Sequence, residues 1–206
     1  MHHQPKHLFD PKKRFRLLDP EHRMVRDPLT LIHEMGIGEG MRVVDMGCGP
    51  GFFTAPLLKA VGSKGHIAAI DTQTEMLDTL KDHVVKSLGG MPDTLTIEQC
   101  DMRENSLETG SWDRVLLAFT LHEVDVPGAL EEVRRLLHPE GELIALEWGA
   151  PPDPNAPVKT GPPMDHRLLP ETLITLLEEA GFLVMGQEER IACCQYWIAA
   201  APTPMG

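Results

Sequence analysis

The chain has 206 residues, 42% hydrophobic and 24% charged, which is the composition of an ordinary globular domain with its own core. Its formal net charge of −12 argues against a broad surface for nucleic-acid phosphates, so nucleic acid is not an expected partner. No apolar run approaches the ~18 residues of a transmembrane helix, and the N-terminus lacks the pattern of a signal peptide. We therefore expect a cytoplasmic protein without a membrane partner.

The first part of the chain, residues 1–27, is polar, contains three prolines and carries a basic cluster. One interpretation is a solvated, partly ordered arm. The other is a cap that folds over a ligand cleft and brings Arg23 or Arg26 to an anion. The apolar anchors of such a cap would be Phe15, Leu17 and Leu18.

Residues 28–206 are expected to form the main domain, because strand and helix signals alternate there in the rhythm of a parallel sheet. The predicted strands are 42–46, 66–70, 95–98, 112–118 and 142–147. Two strand-like runs follow at 182–187 and 191–199, with a polar turn at 188–190 between them. The predicted helices are 28–35, 52–61, 72–88, 127–137 and 170–180. Between the fifth strand and the last helix, the prolines of residues 149–169 predict a long loop.

The most informative stretch is 41–54, in which Val43 and Val44 form a β-branched run that closes on Asp45. A glycine-rich turn and a helix start follow, which would offer free backbone N–H groups and bare backbone to a ligand. The turn reads Gly47, Cys48, Gly49, Pro50 and Gly51. Its spacing departs from the G-x-G-x-x-G of dinucleotide-binding folds, which disfavours a nicotinamide-dependent oxidoreductase.

The run from Val43 to Gly51 resembles motif I of the class I methyltransferases that use S-adenosylmethionine as cofactor. The resemblance covers about residues 36–200. It implies an α/β fold with a doubly wound, mostly parallel seven-stranded sheet, helices on both faces and an antiparallel last strand. It also implies that the glycine backbone lies against the amino-acid part of the cofactor, with Asp45 beneath the methionine end.

Acids close the first two predicted strands and follow the third, at Asp45, Asp71 and Asp101. The resemblance implies that Asp71 accepts hydrogen bonds from the ribose and Asp101 from the adenine amino group, with Met102 donating a backbone N–H to the ring. Each acid could instead be only a cap or turn residue. Because parallel strand ends line one crevice, their joint position favours cofactor binding. The predicted cofactor-binding set is completed by Cys48, Thr72 and Phe119.

The stretch 118–124 lies where motif IV falls in the family. It lacks the Asn/Asp-Pro-Pro-Tyr/Phe of enzymes that methylate adenine or glutamine nitrogens. Its L-H-x-V run resembles the small-molecule branch, which includes quinone-biosynthesis and arsenite or thiol methyltransferases. His122 is the first candidate for acid–base catalysis and Glu123 the second. Alternatively, His122 only positions the backbone, and Glu123 with Asp125 caps the next helix.

The long loop contains a charged cluster, Met164-Asp165-His166-Arg167. We expect His166 and Arg167 to form a substrate lid, with Arg167 pairing an anionic group of the acceptor. The alternative is that Arg167 ties the loop to Asp165 or Glu147 and touches no substrate.

The cysteines do not support arsenite methylation, which needs several converging thiols. Cys193 and Cys194 are predicted on a core strand, pointing to opposite faces, and Cys48 belongs to the glycine turn. Because no C-x-x-C spacing occurs, neither a metal site nor a disulfide framework is expected.

The sequence therefore predicts transfer of a methyl group from S-adenosylmethionine to a small-molecule acceptor by direct displacement, with release of S-adenosylhomocysteine. Two alternatives stay open: a non-catalytic S-adenosylmethionine-binding protein, and an RNA or protein methyltransferase that uses the basic arm. The acceptor, its nucleophilic atom and assembly into a homodimer are left open by the sequence.

Overall fold

The computed structural model describes residues 9–153, 160–190 and 193–204. Within them, seven strands form one sheet. The strands are β1 Arg42–Met46, β2 His66–Asp71, β3 Leu95–Gln99, β4 Trp112–Ala118, β5 Leu137–Trp148, β6 Phe182–Arg190 and β7 Gln195–Pro202. The sheet order is β3-β2-β1-β4-β5-β7-β6, and only β7 runs antiparallel to its neighbours. This confirms the fold class that the sequence predicts.

The α-helices of the described chain pack on both faces of the sheet. They are α1 Pro20–Arg23, α2 Pro28–Glu34, α3 Thr54–Val61, α4 Thr74–Leu88, α5 Val126–Leu136 and α6 Pro170–Glu179. The five predicted helices lie within two residues of α2 to α6. In the described residues, no helix is both long enough and apolar enough to cross a membrane.

The core is divided by the sheet into two apolar clusters, because successive side chains of a strand point to opposite faces. Val43 of β1 and Leu116 of β4 pack with α2, α3 and α4. Val44 and Leu117, one position further on, pack with α5 and α6 on the other face. Central strands that are buried on both faces explain the unbroken apolar runs in the sequence.

The bounds of the last two strands, β6 and β7, differ from the prediction. Residues 188–190 were expected to form a turn but belong to β6, an edge strand whose exposed positions tolerate polar side chains. β7 begins only at Gln195, and residues 191–192 lie outside the described residues. The prediction that Cys193 and Cys194 lie on a core strand is wrong. Both precede β7 in a turn, where Cys194 has a φ of 52°.

The N-terminal arm, as far as it is described, consists of a 3₁₀ helix, Pro11–Leu18, followed by α1. Arg14 Nε donates to Thr79 Oγ1 of α4 at 2.7 Å. Leu17 is buried, as expected of an anchor, and Leu18 packs partly against the core. Phe15 is not an anchor, since its side chain is 62% exposed.

Candidate active site

A cavity of about 510 Å³ lies at the carboxyl ends of the central strands. Its wall includes Gly47 after β1, Asp71 at the end of β2, Phe119 after β4 and Trp148 at the end of β5. The arm contributes to the same wall, for instance through Arg23. The volume falls in the range of sites for small molecules and cofactors.

The glycine turn presents bare backbone to this cavity at Gly49. All three glycines have positive φ, of 77°, 52° and 90° in chain order. A Cβ on Gly47 would lie 2.5 Å from Thr120 Cγ2, and one on Gly51 would lie 3.0 Å from Leu80 Cγ. A Cβ on Gly49 would meet only Leu17 Cδ1, at 4.0 Å. Gly47 and Gly51 are therefore required by packing, whereas Gly49 keeps a surface open to a ligand.

The expectation of free N–H groups in this turn is wrong. Gly47 and Cys48 donate to the carbonyl of Ile70, and Gly51 donates to the carbonyl of Cys48. Gly49 N donates to Asp71 Oδ2 at 2.9 Å. Cys48 and Gly51 do not line the cavity, so the turn offers shape to a ligand more than it offers hydrogen-bond donors.

Asp45, two residues before the turn, is only 2% exposed and does not line the cavity. Its Oδ2 accepts a hydrogen bond from Thr54 Oγ1 at 2.6 Å. Burial raises the pKa of Asp45 to about 6, although the Thr54 hydroxyl and the charge of Arg23 act to lower it. At neutral pH, the hydrogen bond from Thr54 and the charge of Arg23 therefore compensate only in part for the burial of the Asp45 carboxylate.

Asp71, the last residue of β2, is hydrogen-bonded to the glycine turn that follows β1. Its Oδ1 accepts from the backbone of Gln73 at 2.9 Å, while Oδ2 accepts from Gly49. Burial raises the pKa of Asp71 against the effect of these N–H groups. Asp71 thus accepts backbone hydrogen bonds as a turn residue does, and it also lines the cavity, as does Thr72. The two roles considered for Asp71, in a turn and at a ligand, are therefore compatible.

Asp101 and Met102 line the far end of the cavity with Arg103. Arg103 holds both carboxylate oxygens of Asp101, with Nη2 at 2.7 Å from Oδ2 and Nε at 3.0 Å from Oδ1. The hydrogen bonds from Arg103 lower the pKa of Asp101. The sequence reasoning did not include Arg103, although an arginine two residues after an acid is a readable signal for this clamp.

His122 and Glu147 form a hydrogen-bonded pair at the wall between β4 and β5. His122 Nδ1 donates to Glu147 Oε2 at 2.8 Å, and the backbone of Leu121 donates to Oε1 at 2.7 Å. Glu147 is fully buried, and Glu123 Oε1 lies 3.7 Å from His122 Nε2. Burial acts to lower the pKa of His122, but the charge and hydrogen bond of Glu147 raise it overall. Burial raises the pKa of Glu123.

The sequence reasoning proposed His122 but missed Glu147 as its partner. The signal was available, because Glu147 is an acid near the end of an apolar run, Leu-Ile-Ala-Leu-Glu-Trp. An acid inside a buried strand needs a partner.

Aromatic rings cover the neighbouring part of the wall. Phe119, which has a φ of 58°, places its ring centroid 4.9 Å from that of Trp148 with 31° between the planes. Both residues line the cavity next to His122. A flat apolar ligand would find a matching surface here.

Arg167 holds the long loop and does not face the cavity. It donates to the backbone carbonyls of Pro162, Gly149 and Thr160. His166 also lies off the cavity wall, which the loop reaches through Gly161 and Pro162 instead. The geometry therefore does not support pairing of Arg167 with an acceptor. It supports the alternative tie, with carbonyls as partners in place of Asp165 or Glu147.

Within the described ranges, no group of three or more His, Cys, Asp or Glu residues is placed to hold a metal ion. All four cysteines are free.

Fold and cavity together define an α/β domain with an elongated ligand cleft across its strand ends. A family model described as a methyltransferase domain matches residues 43–141. A crystal structure of an S-adenosylmethionine-dependent methyltransferase from Aquifex aeolicus is 30% identical with a TM-score of 0.83, covering 94% of this chain and 98% of that one. The chain therefore belongs to the S-adenosylmethionine-dependent methyltransferases, which confirms the predicted family and cofactor.

Two further relatives extend this result. The demethylmenaquinone methyltransferase of Staphylococcus aureus strain MRSA252 is 34% identical over 122 residues, which are 59% of this chain and 48% of that protein. This chain thus spans about half the length of the curated relatives it matches. A Haemonchus contortus phosphoethanolamine N-methyltransferase with bound S-adenosylhomocysteine shares the fold, with a TM-score of 0.67 at 16% identity, over 86% of this chain and 52% of that one.

Proposed function

We propose that this protein transfers a methyl group from S-adenosylmethionine to a small aromatic molecule that carries an ionisable hydroxyl, such as a reduced quinone. His122 on the cavity wall, hydrogen-bonded to the buried Glu147, carries this proposal. The likeness to a demethylmenaquinone methyltransferase supports the choice of acceptor. The net charge of −12 favours a small molecule over RNA.

The residues around the cavity suit the parts of the cofactor. In this proposal, Gly49 and Asp45 lie at its methionine end, Asp71 with Thr72 binds the ribose, and Asp101 with Met102 binds the adenine. The open surface at Gly49 is the feature that fits, because any side chain there would project into the cleft.

The cofactor supplies a methyl group already activated on a sulfonium, so the protein has to orient the acceptor, exclude water and take one proton. Because Nδ1 of His122 donates to Glu147, Nε2 carries the lone pair that accepts the hydroxyl proton. The acceptor then attacks through its oxygen, or through a ring carbon made electron-rich by it; in the second case the proton on that carbon moves to the oxygen when the ring becomes aromatic again. The carbon–sulfur bond breaks, and S-adenosylhomocysteine leaves. Glu123 stabilises the protonated ring of His122.

The aromatic pair of Phe119 and Trp148 would hold the acceptor ring. We further propose that the arm, residues 1–27, acts as a cap on the domain formed by 28–206. Support comes from Leu17 and Arg23, which line the cavity. A cytoplasmic location is part of the proposal and agrees with four free cysteines.

The test is a methyl-transfer assay with a reduced quinone, a catechol and a primary amine, in wild type and His122→Gln. We expect transfer to a hydroxylated ring, with kcat lowered about 10²- to 10⁴-fold in His122→Gln and an unchanged Kd for S-adenosylhomocysteine. Because a neutral imidazole is needed, wild-type activity should fall as the pH drops through the raised pKa of His122.

His138→Gln is the matched control. His138 also pairs with a carboxylate, Asp113, at 2.9 Å, but outside the cavity wall, so its loss should leave kcat unchanged. Normal turnover by His122→Gln would refute the role of His122. Methyl transfer to the amine alone would refute a hydroxylated ring as the acceptor but would agree with methyltransferase activity.

A further inference from the structure

Arg23, the last residue of α1, is fixed at the cavity wall by contacts with the rest of the chain. Its Nε donates to the carbonyl of Leu17 at 3.1 Å, and its own carbonyl accepts from Gln195 Nε2 at 2.6 Å. Its guanidinium carbon lies 5.2 Å from the ring centroid of Phe119 and 5.9 Å from that of Phe52. Both rings are close enough for cation–π attraction.

The guanidinium has unused donors. Among the described residues, no carboxylate lies within 4.0 Å of Arg23, and neither Nη1 nor Nη2 donates a hydrogen bond. Glu123, Asp45 and Glu147 act on it only from a distance. Burial lowers the pKa of Arg23 to about 10, so it stays charged at neutral pH. A half-buried cation of this kind calls for an anionic partner in the cavity.

Arg23 lies at the glycine-turn end of the cavity. Leu17, whose carbonyl it holds, provides the only atom of the described residues within 4 Å of a Cβ built on Gly49. Phe52, which it faces, follows the turn directly. The acids proposed to bind the nucleoside lie at the neighbouring strand ends, Asp71 as the last residue of β2 and Asp101 just after β3. An amino acid on the turn would therefore lie near Arg23, whose charge is opposite to that of its carboxylate.

We propose that Arg23 binds the α-carboxylate of S-adenosylmethionine, so that the arm supplies a residue of the cofactor site. The planar guanidinium can bind the two oxygens of a carboxylate side by side. This inference rests on the proposed cofactor site and adds to it a contact from outside the β/α core.

The experiment compares two ligands in two proteins by calorimetry. The ligands are S-adenosylhomocysteine and decarboxylated S-adenosylhomocysteine, which differ only in the carboxylate. The proteins are wild type and Arg23→Met, which keeps an apolar stem against Phe119. We expect Arg23→Met to lower the affinity for S-adenosylhomocysteine by about 10- to 100-fold. Its affinity for the decarboxylated ligand should equal that of wild type. Arg26→Met, an exposed arm position, should change neither affinity.

Two results would overturn the inference. Equal losses for both ligands would mean that the substitution only loosens the arm, and unchanged affinity for S-adenosylhomocysteine would assign the carboxylate to another group. Arg23→Lys, which keeps the charge, should recover part of the preference for the ligand with the carboxylate. This second variant keeps the proposal testable if Arg23→Met fails to fold. If wild type bound neither ligand, the proposed cofactor site itself would fail, which is a separate outcome.

Discussion

Replacing Asp45 with asparagine removes one buried charge and leaves the side-chain volume nearly unchanged. Asp45 is 2% exposed, and an asparagine Oδ1 can still accept the hydrogen bond from Thr54 Oγ1. Burial raises the pKa of Asp45 from 3.8 to about 6, so the carboxyl is ionised at pH 8 in an environment that disfavours the charge. We therefore expect Asp45→Asn to be more stable than wild type at pH 8.

The sign and size follow from proton linkage. A carboxyl with a raised pKa in the folded state binds its proton more tightly there, so the contribution of Asp45 to the stability of wild type is greatest at low pH. It falls as the pH rises from 3.8 to about 6 and then stays level. A rise from 3.8 to about 6 corresponds to about 3 kcal/mol. The advantage of Asp45→Asn should grow from near zero at about pH 4 towards this value at pH 8.

Urea unfolding of the ligand-free protein at these two pH values measures the difference. Asp27→Asn is the control, because hydrogen bonds from Thr30 lower the pKa of this exposed cap and its effect has the opposite sign. A stability difference that is the same at both pH values would refute the reasoning. In the same variant, S-adenosylhomocysteine should bind more weakly, since its ammonium loses the nearby negative charge.

Two further predictions concern the turn and the long loop. Gly49→Val should abolish binding of S-adenosylhomocysteine in calorimetry while circular dichroism stays native, whereas Gly47→Ala, with its Cβ 2.5 Å from Thr120 Cγ2, should lower the unfolding free energy by about 1–3 kcal/mol. Unchanged affinity of Gly49→Val would contradict the first. Arg167→Ala should lower the melting temperature and leave the acceptor KM nearly unchanged, because three carbonyls lose their donor. A large rise in KM without a change in melting temperature would reverse that assignment.

Much of the fold could be predicted because its signals are local. The buried central strands appear as apolar runs, and Asp45 and Asp71 mark where two of them end. The edge strand β6 was shortened in the prediction because its polar end carries the composition of a turn. Whether a polar segment pairs with β7 depends on the neighbouring strand and cannot be read from the segment alone.

The site was predictable only in part, for a similar reason. His122 was identified from its own motif, but its partner Glu147 lies 25 residues further along and meets it only because β5 pairs with β4. Arg23 is similarly distant in sequence from the turn it faces, since it precedes Gly49 by 26 residues. Arg167 was assigned to a substrate because a charged residue in an apolar loop suggests a ligand. Backbone carbonyls, which every residue carries, satisfy it instead, and sequence does not show which of them are free.

The arm and the proton acceptor are linked through charge. Glu147 raises the pKa of His122, and the positive charge of Arg23 acts in the opposite direction. The group that we propose to bind the cofactor carboxylate therefore also limits how basic His122 becomes. If the arm caps the cavity as proposed, it would keep water from it, and each of these interactions would act more strongly than in an open cleft. A cofactor carboxylate at Arg23 would offset its charge, which would make His122 a stronger base when the methyl donor is in place.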